Sequence, residues 1–207
     1  MRTLEAAARR LKPRDGLPRL YLFSDPVRLA DPRAAAGRLP PGAAVVARGL
    51  APAVLRGLAA LGRRRRLLLL VAGDGRLALR QRAGLHVPDR RATPGLLPFL
   101  LARRRRGLVL TVAAHGRAGL ARARRLGATA VILSPVFPTR SHPGAPALGP
   151  LRWASLAARA GGRAVVALGG ITPGNAARLP RRTAGLAAIG GLSGSSTGRR
   201  TQAFTAG

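Results

Sequence analysis

The sequence has no cysteine, few aromatic residues and very few acids. Of its 207 residues, 3% are aromatic and six are Asp or Glu, against 37 Lys and Arg. Without cysteine the chain forms neither disulfides nor thiolate metal sites. Because hydrophobic residues still make up 47% of the chain, the core must be built from Leu, Val, Ile and Ala. The aromatics are too sparse for the stacking surfaces that single-strand binders use.

Long hydrophobic runs are also missing. The longest apolar runs, such as residues 67–72, fall far short of the roughly 20 residues that span a bilayer. The amino-terminal segment is charged and has no apolar stretch followed by a cleavage site. These features predict a cytoplasmic protein with no membrane contact, and the length suits one domain with a substantial core.

The formal net charge of +31 has two interpretations. Basic side chains that neutralise phosphates favour nucleic-acid binding. Alternatively, a GC-rich coding bias enriches Arg, Ala, Gly and Pro together, and Lys12 is the only lysine. The arginines form runs at residues 63–66 and 103–106, near the ends of predicted elements, where a solvated face is the usual explanation. We favour coding bias and expect no specific nucleic-acid partner.

Runs of branched aliphatic residues alternate with stretches of helical spacing. The predicted strands lie near residues 19–24, 43–47, 66–72, 84–87, 107–112, 129–133, 163–168 and 185–189. The predicted helices lie near residues 26–37, 51–61, 76–82, 94–105, 117–126, 150–160 and 173–179, with a short helix at 4–12 ahead of the first strand.

Alternation of this kind implies parallel strands, and runs such as 164–168 lack the polar alternation of half-exposed strands. Eight units predict an α/β fold, a single (β/α)8 TIM barrel over residues 1–192 with short loops. An open doubly wound sheet is the alternative, although no Gly-x-Gly-x-x-Gly follows the first strand. Residues 193–207 are rich in Ser, Gly and Thr, which predicts a flexible tail and a final helix that is missing or irregular.

The active site of such a barrel lies at the carboxyl ends of its strands. A polar loop containing Thr139, Ser141 and His142 follows the sixth strand, and the pair Gly169 and Gly170 follows the seventh. Backbone N–H groups beside a helix start bind anions. Glycine pairs also make tight turns, but a second pair begins at Gly190, directly after Ile189 and the eighth strand. The sequence therefore predicts a phosphate site formed by Gly169, Gly170, Ile189 and Gly190.

Several segments of the second half resemble a known family. The Ser-Pro-Val-Phe-Pro-Thr motif at 134–139, Leu-Gly at 148–149, Val-Ala-Leu-Gly-Gly-Ile at 166–171 and Asn175 resemble thiamine phosphate synthases and the related TenI-like thiazole tautomerases. The resemblance runs from about residue 111 to 192. It is weaker in the first half, where residues 20–25 and 84–86 are similar to the family's first and fourth strands.

This resemblance implies small-molecule substrates. The synthases join a hydroxymethylpyrimidine pyrophosphate to a thiazole phosphate, and Mg²⁺ carries the departing pyrophosphate. Thr139 and Ser141 match hydroxyl groups that contact the substrates, and His142 stands where the family usually has lysine. Gly170, Ile189 and Gly190 match the cradle for the thiazole phosphate. Arg48 matches the arginine of a Gln-x-Arg-x-Lys pattern after the second strand.

The sequence departs from the family in the first half. Val46 and Leu50 replace the glutamine and the lysine of that pattern. Asp74 keeps the acid of an Asn-Asp pair after the third strand, whereas the second magnesium carboxylate falls on Arg91, two residues beyond Asp89. Magnesium needs several oxygen ligands, and Asp74 alone matches one.

His115 follows the fifth strand and matches the acid and base of the tautomerases. An imidazole side chain suits that role, although synthases often carry histidine there and a lone histidine at a strand end is as often structural. His86 is interpreted as packing under the site. Three functions follow: a thiamine phosphate synthase, a metal-independent thiazole tautomerase, or a barrel without catalysis that binds a phosphate metabolite or RNA.

Overall fold

The computed structural model describes residues 3–12, 14, 16–139, 146–189 and 192. Its strands close into a barrel in chain order, each parallel to the next, and the eighth pairs with the first through Leu20–Leu186 and Tyr21–Ala187. This confirms the predicted (β/α)8 barrel and excludes the open sheet. The strands are β1 Leu20–Phe23, β2 Ala44–Ala47, β3 Leu68–Ala72, β4 Gly84–Val87, β5 Leu110–Ala114, β6 Ala130–Leu133, β7 Ala164–Leu168 and β8 Thr183–Ala188.

Helices connect the strands and lie outside the barrel. No helix in the described part of the chain is both long enough and apolar enough to cross a membrane. The predicted tail at 193–207 and the region of a final helix fall outside the described residues, apart from residue 192. The helices are α1 Leu4–Arg9, α2 Arg33–Gly37, α3 Pro52–Arg65, α4 Gly75–Arg80, α5 Leu96–Arg106, α6 Arg117–Arg125 and α7 Gly149–Ala158.

Two predicted helices are largely wrong. The helix expected at 26–37 is only α2, because the Asp25 carboxylate accepts the backbone N–H groups of Val27 and Arg28 and bends the chain into a turn that closes on Leu29. The helix expected at 173–179 is a single 3-10 turn, Ala176–Arg178. Pro180, which cannot donate a hydrogen bond to a continuing helix, follows it.

Side chains of the strands alternate between two packed regions, as the period of a strand requires. Tyr21, Phe23, Val46, Leu70 and Ile132 point into the barrel and fill it. Their neighbours pack outward against the helices; α3, for example, buries Leu55, Leu58, Ala59 and Gly62 at helical spacing. A filled barrel leaves chemistry to the loops at its carboxyl-terminal mouth.

Candidate active site

The mouth of the barrel carries a titratable or cationic residue after each of the first five strands. These are Asp25 after β1, Arg48 after β2, Asp74 after β3, Asp89 after β4 and His115 after β5. Because all strands are parallel and closed into one barrel, their carboxyl ends meet at the same rim. The other predicted site residues that the structure describes complete this rim: Thr139 after β6, Gly169 and Gly170 after β7, and Ile189 after β8.

Arg48 is held in place by residues that follow β1. Its Nη2 lies 3.0 Å from Asp25 Oδ2, and its backbone N–H donates to the Ser24 hydroxyl at 2.7 Å. The hydrogen bond from the Arg28 side chain, at 2.9 Å, holds the pKa of Asp25 well below its usual range, and the backbone N–H groups of Arg28 and Val27 act in the same direction. The guanidinium of Arg48 also lies 5.8 Å from the Phe23 ring centre. Arg48 is therefore a fixed cation at the mouth.

His115 forms a pair with Asp89. Its Nδ1 lies 2.8 Å from Asp89 Oδ2, and its side chain is 51% exposed whereas that of Asp89 is 19% exposed. An ionised carboxylate only accepts hydrogen bonds, so Nδ1 carries the proton and Nε2 of the neutral ring is the basic atom. Asp89 thus orients an accessible histidine, an arrangement that suits proton transfer.

His86 lies beneath the mouth, inside the barrel. Its Nδ1 is 2.9 Å from the Thr111 hydroxyl oxygen, and its ring meets Phe23 edge-on at 5.4 Å. Burial, with a smaller contribution from the charge of Arg48, lowers the pKa of His86 to about 3. The ring is neutral at physiological pH, which agrees with the interpretation of His86 as a packing residue under the site.

The loops after β6 and β7 are in close backbone contact. Val136 and Phe137 donate their N–H groups to the carbonyls of Leu168 and Gly169, at 3.0 and 3.1 Å. Gly169 and Gly170 have positive φ values of 101° and 64°. A Cβ at Gly169 would lie 2.6 Å from Pro135 Cβ, and one at Gly170 would overlap the carbonyl oxygen of Pro138. Only glycine allows this approach, because other residues rarely adopt such φ values and would also collide.

Asn175 fixes the remainder of the β7 loop. Its side-chain amide donates to the Gly170 carbonyl at 2.8 Å, and its side-chain oxygen accepts the Thr172 N–H at 2.8 Å. The backbone N–H of Asn175 in turn lies 3.3 Å from the Thr172 hydroxyl. These bonds hold the glycine pair in one conformation, as a preformed anion cradle requires.

The structure describes only some of the predicted site residues. Thr139 lies at the end of the described part of the β6 loop, and Ile189 packs against the interior of the barrel directly after β8. Ser141, His142 and Gly190 lie outside the described residues, so their predicted roles stay predictions. Sequence reasoning overlooked Asp25, although its place directly after a strand, like that of Asp74, was a signal that could have revealed it.

The predicted magnesium ligand Asp74 and the other carboxylates at the mouth have partners within the protein. Asp74 caps α4, and its Oδ1 accepts the Leu77 N–H at 2.9 Å. Asp89 is bonded to His115, and Asp25 to two arginines. The described residues contain no group of three His, Cys, Asp or Glu side chains arranged to hold a metal. A magnesium site with the expected ligands does not fit this arrangement, and no catalytic step is derived through a metal.

The fold and the rim define a class: a (β/α)8 barrel with a glycine-built loop after β7 and a histidine–aspartate pair at its mouth. The family model described as thiamine monophosphate synthase matches residues 50–192. The chain therefore belongs to the thiamine monophosphate synthase family. No curated protein sequence matches the chain.

Solved structures share the fold. Thiamine phosphate pyrophosphorylase from Pyrococcus furiosus superposes with a TM-score of 0.68 at 22% identity, over 88% of this chain and 90% of that chain. The 2-keto-3-deoxy-6-phosphogluconate aldolase of Zymomonas mobilis, solved with 3-phosphoglycerate, superposes with a TM-score of 0.58 at 17% identity, over 91% of this chain and 85% of that one. At these identities the likeness concerns the fold alone.

Proposed function

We propose that this protein acts on the thiazole phosphate of thiamine biosynthesis and moves a proton on it, as a thiazole tautomerase does. The pairing of the accessible His115 with Asp89 at 2.8 Å is the observation that carries the proposal. Such a pair orients an imidazole nitrogen as a proton acceptor without a metal.

The phosphate of the substrate would bind the glycine loop after β7 and residues 189–190. In such barrels the loops after the seventh and eighth strands typically hold phosphate, and the Asn175 hydrogen bonds fix the first of these loops before binding. Only a 3-10 turn follows the glycines, so the backbone of the loop itself, without a helix dipole, would hold the anion. The thiazole ring would then lie over the mouth within reach of His115. His115 Nε2 removes a proton from one carbon of the substrate and returns it at another, so the reaction is an isomerisation with no other reactant. Asp89 stabilises the imidazolium that forms in between.

The second candidate is thiamine phosphate synthase itself. It is favoured by the family match and by Arg48, whose fixed guanidinium would suit the pyrophosphate of the pyrimidine substrate. Val46 and Leu50, which stand where the family has polar residues, weaken this interpretation. Val46 is fully buried inside the barrel, and Leu50 packs against the core outside it, so neither offers a polar contact.

The two reactions are separated by assaying the purified full chain with each substrate set, with and without Mg²⁺. We expect tautomerisation of the thiazole phosphate that does not depend on Mg²⁺, and little joining of the two substrates. Efficient magnesium-dependent formation of thiamine phosphate would favour the synthase. Calorimetric binding of thiazole phosphate with neither reaction would identify a barrel without catalysis.

A further inference from the structure

The face of the barrel opposite the candidate active site is strongly basic. Helices that return the chain to the start of the next parallel strand end on that face. Arginines occupy residues 63–66 at the end of α3, Arg80 and Arg82 at the end of α4 and just beyond it, and residues 103–106 at the end of α5. These three neighbouring groups are called the arginine face below.

Four of the six acidic residues of the chain lie on the other side, whereas Glu5 belongs to α1, ahead of β1. Asp25, Asp31, Asp74 and Asp89 all follow carboxyl ends of strands, at or near the mouth. Within the described parts of the chain, no ion pair involves a residue of the arginine face. Its charge is therefore not neutralised by these carboxylates, and an external polyanion would meet the full positive potential.

The arginine face is concave. Its three connections line one cleft of about 180 Å³, to which they contribute Arg63, Arg82 and Gly107 among other residues. An adjoining groove of about 450 Å³ between α3 and α4 is lined by Arg56, Arg63, Arg80, Arg82, Gln81 and Ala59. Among the described residues no carboxylate lines either one, so the groove presents guanidinium groups on both of its walls.

Two of these arginines have a backbone conformation that favours glycine. Arg66 and Arg82 have φ values of 55° and 52°, in the left-handed region, where the equivalent residue after α5 is Gly107 at 61°. A residue with a Cβ is disfavoured in that conformation relative to glycine. Arg90, which follows β4 near the mouth, shares this conformation with a φ of 54°, so the conformation is not confined to the arginine face.

We propose that the arginine face binds the phosphate backbone of double-stranded nucleic acid without regard to base sequence. Guanidinium groups form bidentate hydrogen bonds with phosphate, and a duplex supplies a dense row of phosphates. The aromatic side chains of the described residues are buried, so they offer no stacking surface for the bases of a single strand. The proposal does not depend on the proposed function, which uses the opposite face.

A membrane surface fits this face less well. Peripheral proteins combine basic residues with exposed apolar side chains that enter the lipid. In the described ranges the exposed large hydrophobic residues are Val27, Leu97, Leu101 and Leu151, and none of these four belongs to the arginine face. A groove between two helices also admits the ridge of a phosphate backbone, whereas a flat bilayer does not enter it.

The probe is a fluorescent DNA duplex of arbitrary sequence, about 20 base pairs long, which offers a dense row of phosphates. Fluorescence anisotropy measures its binding to the protein over a range of NaCl concentrations. The variant carries Arg63→Gln, Arg80→Gln and Arg82→Gln. The matched control carries Arg76→Gln, Arg117→Gln and Arg152→Gln, which remove the same charge from the amino-terminal parts of α4, α6 and α7 near the mouth. Circular dichroism checks folding, and the single variant Arg80→Gln replaces the triple variant if that one unfolds.

The unmodified chain should bind the duplex with a steep salt dependence. The slope of log affinity against log salt changes by about 0.9 for each phosphate that the protein no longer neutralises. We therefore expect the triple variant to have a slope shallower by about two to three and an affinity at least about tenfold weaker. In the single variant the slope should be shallower by roughly one. Equal losses in the variant and the control would overturn the proposal. So would binding to phosphatidylserine vesicles without binding to the duplex, or no duplex binding at low salt.

Discussion

The two halves of the barrel mouth are built differently. After β1–β4, polar side chains are occupied by other groups of the protein: Asp25 holds Arg48, Asp74 caps α4 and Asp89 orients His115. After β6 and β7, the backbone itself forms the rim, and two glycines let one loop contact the next. The family model begins at residue 50, so it covers the second half fully and omits β1 and β2.

This difference separates the two parts of the site that the family resemblance implies. The proposed backbone cradle depends on glycine and on close loop contact, and the β6 and β7 loops provide both. A site for a metal and a pyrophosphate depends on several free oxygen ligands, and the carboxylates described in the first half already have partners. The halves meet where Asp89 of the first orients His115 of the second, and this contact is the best place to test the comparison.

The largest expected effect comes from His115→Asn. Asparagine keeps a polar side chain but removes the titrating group, so proton transfer should slow by about 10²–10⁴-fold. Steady-state turnover of the thiazole phosphate measures this, and calorimetry should show little change in phosphate affinity. Asp89→Asn, which leaves the histidine in place but not its orienting charge, should give a smaller loss. Unchanged turnover in His115→Asn would show that the proton is moved by another residue.

Replacing Gly170 by alanine tests the backbone-built half. Its left-handed φ and the overlap of a Cβ with the Pro138 carbonyl should together reduce the free energy of unfolding by about 2–4 kcal/mol. Gly162→Ala is the matched control, because Gly162 has a φ of 77° but a Cβ there would meet no described atom within 4 Å. It should lose only about 1–2 kcal/mol. Urea unfolding measures the free energy of unfolding of both variants. If both lose the same amount of stability, the contact between the β6 and β7 loops does not contribute to it.

The buried His86 predicts a pH dependence of stability. Its pKa is about 3 when folded and near 6.5 when unfolded, so the unfolded chain binds more protons as the pH falls below about 6.5. Stability should therefore decrease by about 2–3 kcal/mol from about pH 6.5 to about pH 4.5, above the range where most carboxylates titrate. Urea unfolding of the unmodified chain and of His86→Gln over this range isolates the contribution. If stability changes with pH in the same way in the unmodified chain and in His86→Gln, His86 does not cause the pH dependence.

The smallest expected effect comes from chelation. Because the candidate magnesium carboxylates cap a helix or orient His115, an excess of EDTA should change the tautomerisation rate by less than about twofold, since the histidine pair needs no metal. Loss of the reaction in EDTA and its recovery with Mg²⁺ would show that Asp74 and Asp89 exchange their present partners for a metal.

The eight strands, most of the helices and the position of the glycine loop could be predicted from the chain alone, because strand and helix periods, apolar runs and glycine pairs are local signals. Prediction failed where a side chain overrode a local pattern. The Asp25 carboxylate turned the first part of one predicted helix into a loop, and the other predicted helix is a single 3-10 turn that Pro180 follows.

The pairing of distant residues could not be predicted in this way, because it depends on closure of the barrel. Asp89 and His115 are 26 residues apart, and no spacing rule pairs them; the closed barrel brings the ends of β4 and β5 side by side. In the same way, Arg63 at the end of α3 and Arg80 and Arg82 at or just beyond the end of α4, which look like separate solvated helix ends in the sequence, line one groove, because parallel strands place these helix ends on the same face. Local interactions determined the elements, and barrel closure determined their neighbours.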